Sequence, residues 1–226
     1  MTEQSYAAAG VSLATAGSVV ERLRAAVEST GATGFGAFAG LHPLGDGRFL
    51  AASTDGVGTK LILARERGRL RDCGADLAGT CVGLVDDPID GSTIAAGDVV
   101  IGFASAGLHA NGFTLARSVL ETEDYRGDDL LAPTRLYLTT ARELRARAKA
   151  FVHVTGGGIL GNLERVLPPG RIAQLDWDAW DRPPVFEWLA RHVDEDELRR
   201  VFNVGIGWCA VVAAAEPGEL VIGRIT

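Results

Sequence analysis

The sequence predicts an α/β or α+β protein, because segments with apolar residues at helical spacing alternate with short apolar runs typical of buried strands. Three glycine-rich stretches each follow such a run, which is where ligand-binding loops lie in α/β folds. Of the 226 residues, 47% are hydrophobic and 23% are charged. That is the composition of an ordinary globular protein and is too apolar for a disordered chain.

Taken in order, the residues before position 104 predict two helices, a hairpin and further strands. Apolar residues share one side of a predicted helix at Thr15–Ser29. Residues 41–54 predict a hairpin, because Gly45-Asp46-Gly47 is a turn sequence beside an apolar run. The other predicted elements here are the strands Arg48–Ser53, Cys81–Val85 and Val99–Phe103 and the helix Leu61–Gly68.

Beyond that point short elements of both kinds alternate without a regular period. Pro133–Ala148 is predicted to be one long Arg-rich helix, and the apolar stretch Val204–Ala214 predicts a buried strand. Leu220–Ile225 forms the last predicted element. The remaining predictions are the helices Phe113–Leu120, Asn162–Val166, Val185–His192 and Glu195–Val201 and the strand Phe151–Thr155.

Charge and composition exclude several function classes. A net charge of −7 argues against nucleic acid as the main partner. No apolar run reaches the roughly 18 residues that span a bilayer, and residues 1–30 lack a basic stretch followed by an apolar one, so we expect neither membrane insertion nor Sec export. Three separated cysteines form no disulfide framework and no zinc motif. We therefore expect a cytoplasmic protein.

The first glycine-rich stretch, Ser53–Lys60, directly follows a predicted strand. Gly56 and Gly58 let backbone amides approach an anion. Lys60 adds a positive charge and stands out because the chain has only two lysines against 20 arginines. Asp55 can hold Mg²⁺. The spacing is not that of a P-loop, and a tight turn capped by an aspartate is the structural alternative.

The second stretch, Ser105–Gly112, lies between a predicted strand and a predicted helix. Backbone amides at such a helix start favour an anion. A lone histidine is usually structural, but the glycines on both sides of His109 favour contact with a ligand.

The third stretch, Thr155–Asn162, also follows a strand and opens a helix. Gly156, Gly158 and Gly161 match the G-x-G-x-x-G pattern of dinucleotide-binding loops. The predicted helix is under two turns long, which is too short for the usual crossover. Two interpretations stay open at this point: a phosphate-binding loop, or an NAD(P)-dependent oxidoreductase.

Together these motifs resemble one family, phosphoribosylformylglycinamidine cyclo-ligase, also called aminoimidazole ribonucleotide synthetase. The resemblance runs from Ser5 to the C-terminus. Its most specific segments are Leu-Leu-Ala-Pro-Thr-Arg at 130–135 and Phe-Asn-x-Gly-Ile-Gly at 202–207. The other segments that carry it, in family order, are Gly34–Ala37, Thr54–Lys60, Asp90–Ser92, Gly97–Gly102, Ser105–Gly112 and His153–Gly158.

The resemblance implies a two-domain α/β fold, with an N-terminal domain at residues 1–96 and a C-terminal domain at 97–226. It implies ATP and Mg²⁺ as cofactors, a small nucleotide substrate and a homodimer. The implied reaction is ATP-dependent ring closure of formylglycinamidine ribonucleotide to aminoimidazole ribonucleotide in purine biosynthesis.

The resemblance also assigns site residues by motif. Lys60 and His109 are the expected catalytic residues, and Asp55 is the expected metal ligand. Expected ATP or phosphate contacts are Gly34, Gly36, Asp55, Gly56, Gly58, Thr59 and Asn111. Expected substrate or phosphate contacts are Thr155, Gly156, Gly157, Gly158, Asn162 and Asn203.

One departure from the family pattern bears on activity. Two family segments are fused at Cys81-Val82, and the residues lost between them include acidic residues that the family uses for Mg²⁺–ATP. We therefore expect a shortened chain that binds ATP weakly and closes the ring slowly. The alternatives are a non-catalytic nucleotide- or phosphate-binding protein and the oxidoreductase that would use Gly156, Gly158 and Gly161.

Overall fold

A computed structural model describes residues 5–30, 39–56, 58–73 and 79–226. The chain forms two compact units. The larger unit comprises residues 1–11, 58–75 and 89–226, and the smaller unit comprises residues 12–57 and 76–88. The division into family domains at residue 96 stays a prediction. None of the described helices combines the length and the apolar character needed to cross a membrane.

The smaller unit contains helix α1 (Leu13–Glu28) and a three-stranded antiparallel sheet. The side-chain oxygen of Ser12 caps α1 by accepting a hydrogen bond from the Thr15 amide at 3.1 Å. The strands are β1 (Gly40–Pro43), β2 (Phe49–Asp55) and β3 (Gly79–Val85), in the order β1-β2-β3. The predicted hairpin is confirmed. The join at Cys81-Val82 lies inside β3, whose register with β2 runs without a shift.

The larger unit is built on a five-stranded sheet in which all the strand pairs are antiparallel. Every residue of β7, which lies between β5 and β4, is buried, as its continuous apolar sequence predicts. The order is β5-β7-β4-β8-β6. The strands are β4 (Val99–Ala104), β5 (Ala148–His153), β6 (Ala173–Leu175), β7 (Ile206–Val212) and β8 (Val221–Ile225).

The described part of the larger unit also contains six short helices. The ends predicted for α3 (Phe113–Leu120) and α7 (Glu195–Val201) are confirmed. The others are α2 (Lys60–Glu66), α4 (Leu138–Leu144), α5 (Gly158–Leu163) and α6 (Pro184–Leu189). Single 3₁₀ turns lie at Leu70–Cys73 and Asp128–Leu130.

The long helix predicted at Pro133–Ala148 is wrong. Helix α4 covers only seven of those residues, and Ala148 already belongs to β5. The sequence there favours a helix by composition, but β5 pairs with β7 along its length. Tertiary pairing of this kind routinely overrides intrinsic helix propensity.

Three apolar clusters form the core of the larger unit. One fills the space among α2, α3, α6 and α7, and includes Phe113, Phe186 and Trp188. The second lies on the sheet face that α5 covers and includes Ile159. The third lies on the opposite face, where Leu144 of α4 and Trp208 of β7 pack. The sheet is therefore buried on both faces at its centre.

The chain's second lysine has a structural role. The Lys149 ammonium lies 2.8 Å from both carboxylate oxygens of Asp98, a side chain that is itself buried. Asp98 also accepts a hydrogen bond from the Ala95 amide at 2.7 Å. The pair fastens the turn before β4 to the start of β5.

The two glycines of α5 differ in their surroundings and give a matched stability test. Gly158 has φ +64°, and a Cβ there would collide with the carbonyl oxygen of Arg199, whereas a Cβ on Gly161 would meet open space. An alanine at position 158 would bear the cost of a left-handed backbone and also the cost of the steric clash. Gly158→Ala should therefore lower the free energy of unfolding by roughly 3 kcal/mol or more. Gly161→Ala should raise it by about 0.5–1 kcal/mol. Urea unfolding of both variants checks this; equal effects would contradict the assigned close approach of α5 and α7.

Candidate functional site

The loop that carries His109 is held by a buried asparagine. The Asn203 side-chain oxygen accepts hydrogen bonds from the Ser105 hydroxyl and the Gly205 amide, both at 2.9 Å. Its amide nitrogen donates to the Gly107 carbonyl at 2.9 Å. Gly107 has φ +146°, where its missing side chain lets it lie against the backbone of Asp129. Asn203 therefore positions the loop after β4.

His109 is buried at the tip of this loop, with 1% of its surface exposed and φ +62°. Its Nε2 accepts a hydrogen bond from the Ala106 amide at 3.2 Å. Nδ1 is buried without a hydrogen-bond partner among the described residues. A buried donor left unpaired costs on the order of 1–3 kcal/mol, so this ring is held in place at some expense to stability.

The electrostatic surroundings of His109 favour the neutral ring. Burial is the main cause that lowers the pKa of His109 to about 3, and the basic groups of His153, Lys60 and Arg135 lower it further. Because Nε2 is occupied by a donor, the neutral ring carries its hydrogen on Nδ1. At neutral pH His109 is therefore a neutral hydrogen-bond donor and not an imidazolium that could give up a proton.

Tyr137 lies beside His109, on the sheet face where Leu144 and Trp208 pack. The two ring centroids are 6.1 Å apart, and a Cβ on Gly207 would collide with the His109 ring and with the Tyr137 hydroxyl oxygen. The Tyr137 hydroxyl donates to the Ala104 carbonyl at 3.0 Å, and its ring stacks on Trp208 with centroids 5.7 Å apart. The glycine at 207 is thus what lets the two rings lie close together.

The third glycine-rich stretch is organised by a second buried asparagine. Asn162 donates from Nδ2 to the Gly158 carbonyl at 2.7 Å, with longer bonds to the carbonyls of Thr155 and Gly156 at 3.2 and 3.4 Å. Its Oδ1 accepts from the Thr155 hydroxyl at 3.0 Å. The carbonyls of this loop therefore converge on Asn162.

The amides of the same loop point the other way. In a trans peptide the N–H lies opposite the preceding carbonyl, so the Gly156 and Gly157 amides face away from Asn162. Neither amide has a hydrogen-bond partner in the described structure. The Arg165 guanidinium is close by, 3.9 Å from where a Cβ on Gly157 would stand. Two outward N–H groups, in a loop that has the Arg165 guanidinium near it, form a site suited to an anion.

Lys60 and Thr59 lie at the start of α2. Lys60 is buried, with 2% of its surface exposed, and its ammonium donates to the Ala132 carbonyl at 2.9 Å. It also lies 5.8 Å from the centroid of the Phe113 ring. The Thr59 hydroxyl is 3.1 Å from that of Thr114. Asn111 is half-buried, and its side-chain amide has no partner in the described part of the chain.

The remaining predicted residues do not share these contacts. Asp55 and Gly56 belong to the smaller unit, where Asp55 is exposed and its Oδ1 accepts from the Gly56 amide at 2.7 Å. Gly58 is an exposed residue of the larger unit. Gly34 and Gly36 lie outside the described residues. No group of three His, Cys, Asp or Glu side chains that could hold a metal occurs among the described residues, so these do not by themselves fit Mg²⁺.

Four residues of the site were not assigned from the sequence. Arg135 and His153 stood within motif segments, but nothing in their spacing marked them as close to His109. Arg165 follows Asn162 by three residues, which is one turn of helix, and that spacing could have indicated it. Tyr137 follows the Pro-Thr-Arg segment and carried no signal of its own.

Comparison with known proteins identifies the family. The family model described as AIR synthase related protein, C-terminal domain, matches residues 95–222, which is more than half of the chain. The chain belongs to the AIR synthase related family. The predicted resemblance is confirmed.

Curated relatives in this family are named phosphoribosylformylglycinamidine cyclo-ligase. The one from Burkholderia vietnamiensis (strain G4) is 47% identical over 157 residues, covering 62% of this chain and 45% of the relative. The one from Burkholderia mallei (strain SAVP1) is 46% identical over 160 residues, covering 64% and 46% respectively. The matched region is thus under half the length of these relatives, as expected for an internally shortened chain.

A solved structure of AaThiL complexed with AMPPCP and TMP has the same fold. It superposes with a TM-score of 0.57 at 12% identity, covering 90% of this chain and 89% of that one. The mixed α/β class predicted from the sequence is confirmed.

The oxidoreductase interpretation of Gly156, Gly158 and Gly161 is not favoured. A dinucleotide-binding loop connects parallel strands through a crossover helix. Here α5 has six residues, and the sheet pairs its strands antiparallel. The glycines instead form the turn whose carbonyls accept hydrogen bonds from Asn162.

The low pKa of His109 predicts acid sensitivity. The unfolded ring binds a proton below its ordinary pKa of about 6.5, but the folded ring does not until about pH 3. Stability should therefore fall as pH drops below 6.5, by about 2 kcal/mol between pH 7 and pH 5 from this group.

His109→Asn is the matched control, since asparagine tolerates positive φ and does not titrate. Urea unfolding at both pH values should show a smaller acid loss in the variant. An equal loss in the two proteins would mean that His109 titrates normally in the folded state.

Proposed function

We propose that this chain serves ATP-dependent ring closure of formylglycinamidine ribonucleotide to aminoimidazole ribonucleotide. In this reaction the formyl-amide oxygen attacks the γ-phosphorus of ATP, and the bond to ADP breaks. The amidine nitrogen then attacks the activated carbon, and the oxygen leaves with phosphate while nitrogen loses a proton. An amide oxygen is a poor leaving group, and phosphorylation makes it a good one.

The observation that carries this proposal is the set of outward amides in the loop at Thr155–Gly158. Both substrates of the proposed reaction bear phosphate groups, and unpaired backbone N–H groups in a loop that has Arg165 near it suit a phosphate oxygen. We propose that this loop binds the ribose 5-phosphate or an ATP phosphate. Helix α5 is too short to contribute as a dipole, so the donors are those of the loop and of Arg165.

The roles of the other residues follow from their contacts. Asn162 and Asn203 use their amides on loop backbone, so we propose that they position the loops and do not themselves bind the substrate. His109 and Lys60 are proposed to contact the reacting groups from the larger unit. Asp55 is proposed to contribute a single carboxylate toward Mg²⁺–ATP. A homodimer is likewise a proposal, which rests on the family resemblance alone. A cytoplasmic location is a proposal that rests on the separated cysteines as well.

Arg165 gives the first test. Arg165→Gln removes a charge-assisted hydrogen bond, so the Kd for ribose 5-phosphate or for ATP should rise about 10-fold. Arg171→Gln is the matched control, since Arg171 is also an exposed arginine of the larger unit that has no ion pair among the described residues. Isothermal titration checks both. Equal affinities in the two variants, for both ligands, would contradict the proposed loop site.

Turnover gives the second test. A triphosphate carries about four negative charges, and phosphoryl transfer spreads charge over oxygens that Mg²⁺ usually stabilises. With only Asp55 matched to the family's metal carboxylates, the 226-residue chain should close the ring very slowly. Reinserting the family segment at the Cys81-Val82 join should raise kcat by several orders of magnitude.

Steady-state measurement of aminoimidazole ribonucleotide and ADP decides this, with ATP alone as the control for uncoupled hydrolysis. A kcat near the typical ~10 s⁻¹ for the chain as it stands would contradict the expected loss. Binding without turnover, even after reinsertion, would favour the non-catalytic alternative.

A further inference from the structure

The unpaired Nδ1 of His109 is the clearest unused group in the larger unit. Nε2 is occupied by the Ala106 amide, so the hydrogen of the neutral ring is on Nδ1. That nitrogen is buried and makes no hydrogen bond with any described residue. Buried donors are nearly always paired in folded proteins. We therefore expect this fixed, buried and unpaired donor to hydrogen-bond to an acceptor atom of a ligand.

The charges around this ring indicate the kind of acceptor. Lys60 from α2, Arg135 from the segment before α4, and His153 from the end of β5 all act on His109 with the same sign. Each disfavours a proton on the imidazole, and the Arg135 guanidinium, which stays charged, attracts an oxyanion. The surroundings suit a group with negative oxygens, because one neutral donor lies within the electrostatic reach of several basic groups.

Tyr137 covers this place in the structure. Its ring is neighbour to His109 over Gly207, and its hydroxyl is tied to the Ala104 carbonyl. The side chains on either side of it are largely in solvent: Leu136 is 94% exposed and Leu138 is 61% exposed. The cover thus consists of one anchored ring between two solvent-exposed leucines.

The closed arrangement leaves a donor unpaired, and opening would expose it. The hydrogen bond to Ala104 and the stacking on Trp208 oppose opening, whereas the unpaired Nδ1–H and the surrounding positive charge favour it when an anion is present. A ligand that binds only the open form shifts the population toward it.

We propose that His109, Lys60 and Arg135 form a phosphoryl-binding site closed by Tyr137, in which neutral His109 donates from Nδ1 to a phosphoryl oxygen once Tyr137 moves away. The inference rests on the proposed function only in taking the ligand to be a phosphate ester of that reaction. The phosphoryl group comes either from the nucleotide triphosphate or from the ribose phosphate, and the chemistry of the site is the same for both.

Nitrogen NMR of the ¹⁵N-histidine-labelled chain tests the site directly. His109 should carry its hydrogen on Nδ1 and stay neutral from pH 8 to pH 5. Inorganic phosphate, ribose 5-phosphate and ATP are added separately, and at least one should shift the His109 Nδ1–H resonance; which ester does so identifies the source. A hydrogen on Nε2, a titration near pH 6.5, or no shift with any of the three would overturn the proposal.

Variants test the parts of the site. His109→Leu removes the donor and should weaken binding of the active probe 10-fold or more, whereas His109→Asn keeps an amide donor near the Nδ1 position and should stay within about 3-fold of the parent. Tyr137→Phe loses the tie to Ala104 and should bind about 5-fold more tightly. Arg135→Gln should weaken binding, and Arg142→Gln, an exposed arginine of α4, should not.

The outcomes separate this site from the proposed reaction. Unchanged affinity in His109→Leu or Tyr137→Phe would overturn the site, and if His109→Leu does not fold, the NMR of the parent chain decides. A chain that binds phosphate as described but never closes the ring contradicts the proposed function alone.

Discussion

The site depends on two buried asparagines whose side-chain amides donate hydrogen bonds to the backbone carbonyls of loops. Asn203 and Asn162 lie on different elements, yet each donates its side-chain amide to carbonyl oxygens of a glycine-rich loop. Buried backbone carbonyls must be paired, and here the two side-chain amides pair them in place of backbone amides. In the Asn162 loop the planar peptide then turns the Gly156 and Gly157 amides outward. In this way a structural requirement of the loop presents donors to a ligand.

Burial sets the chemistry of the residues between these loops. Removing His109 from water keeps its ring neutral and fixes the hydrogen on Nδ1. The buried Lys60 side chain lies near enough to the same ring to lower its pKa further. A neutral donor beside basic side chains suits an oxyanion, because binding needs no uptake of a proton. These residues therefore support the proposed phosphoryl transfer, in which the protein's part is binding and charge stabilisation.

Much of this was predictable from sequence, for reasons tied to particular segments. The buried strand β7 and helix α7 were found because their apolar periodicity and acidic N-terminus are local signals. Helix α4 was overpredicted because pairing of β5 with β7 is a long-range effect that Arg-rich sequence does not reveal. The loops were located by their glycines, but the inward role of Asn162 and the closeness of Tyr137 to His109 depend on packing between distant segments.

The most direct test of the central claim is a crystal structure of the 226-residue chain grown without phosphate or sulfate and then soaked with ATP and ribose 5-phosphate. The account predicts phosphoryl oxygens about 3 Å from the Gly156 and Gly157 amides and, with Tyr137 displaced, a phosphoryl oxygen at the same distance from Nδ1 of His109. Both loops empty, with the ligands bound elsewhere on the larger unit, would contradict it.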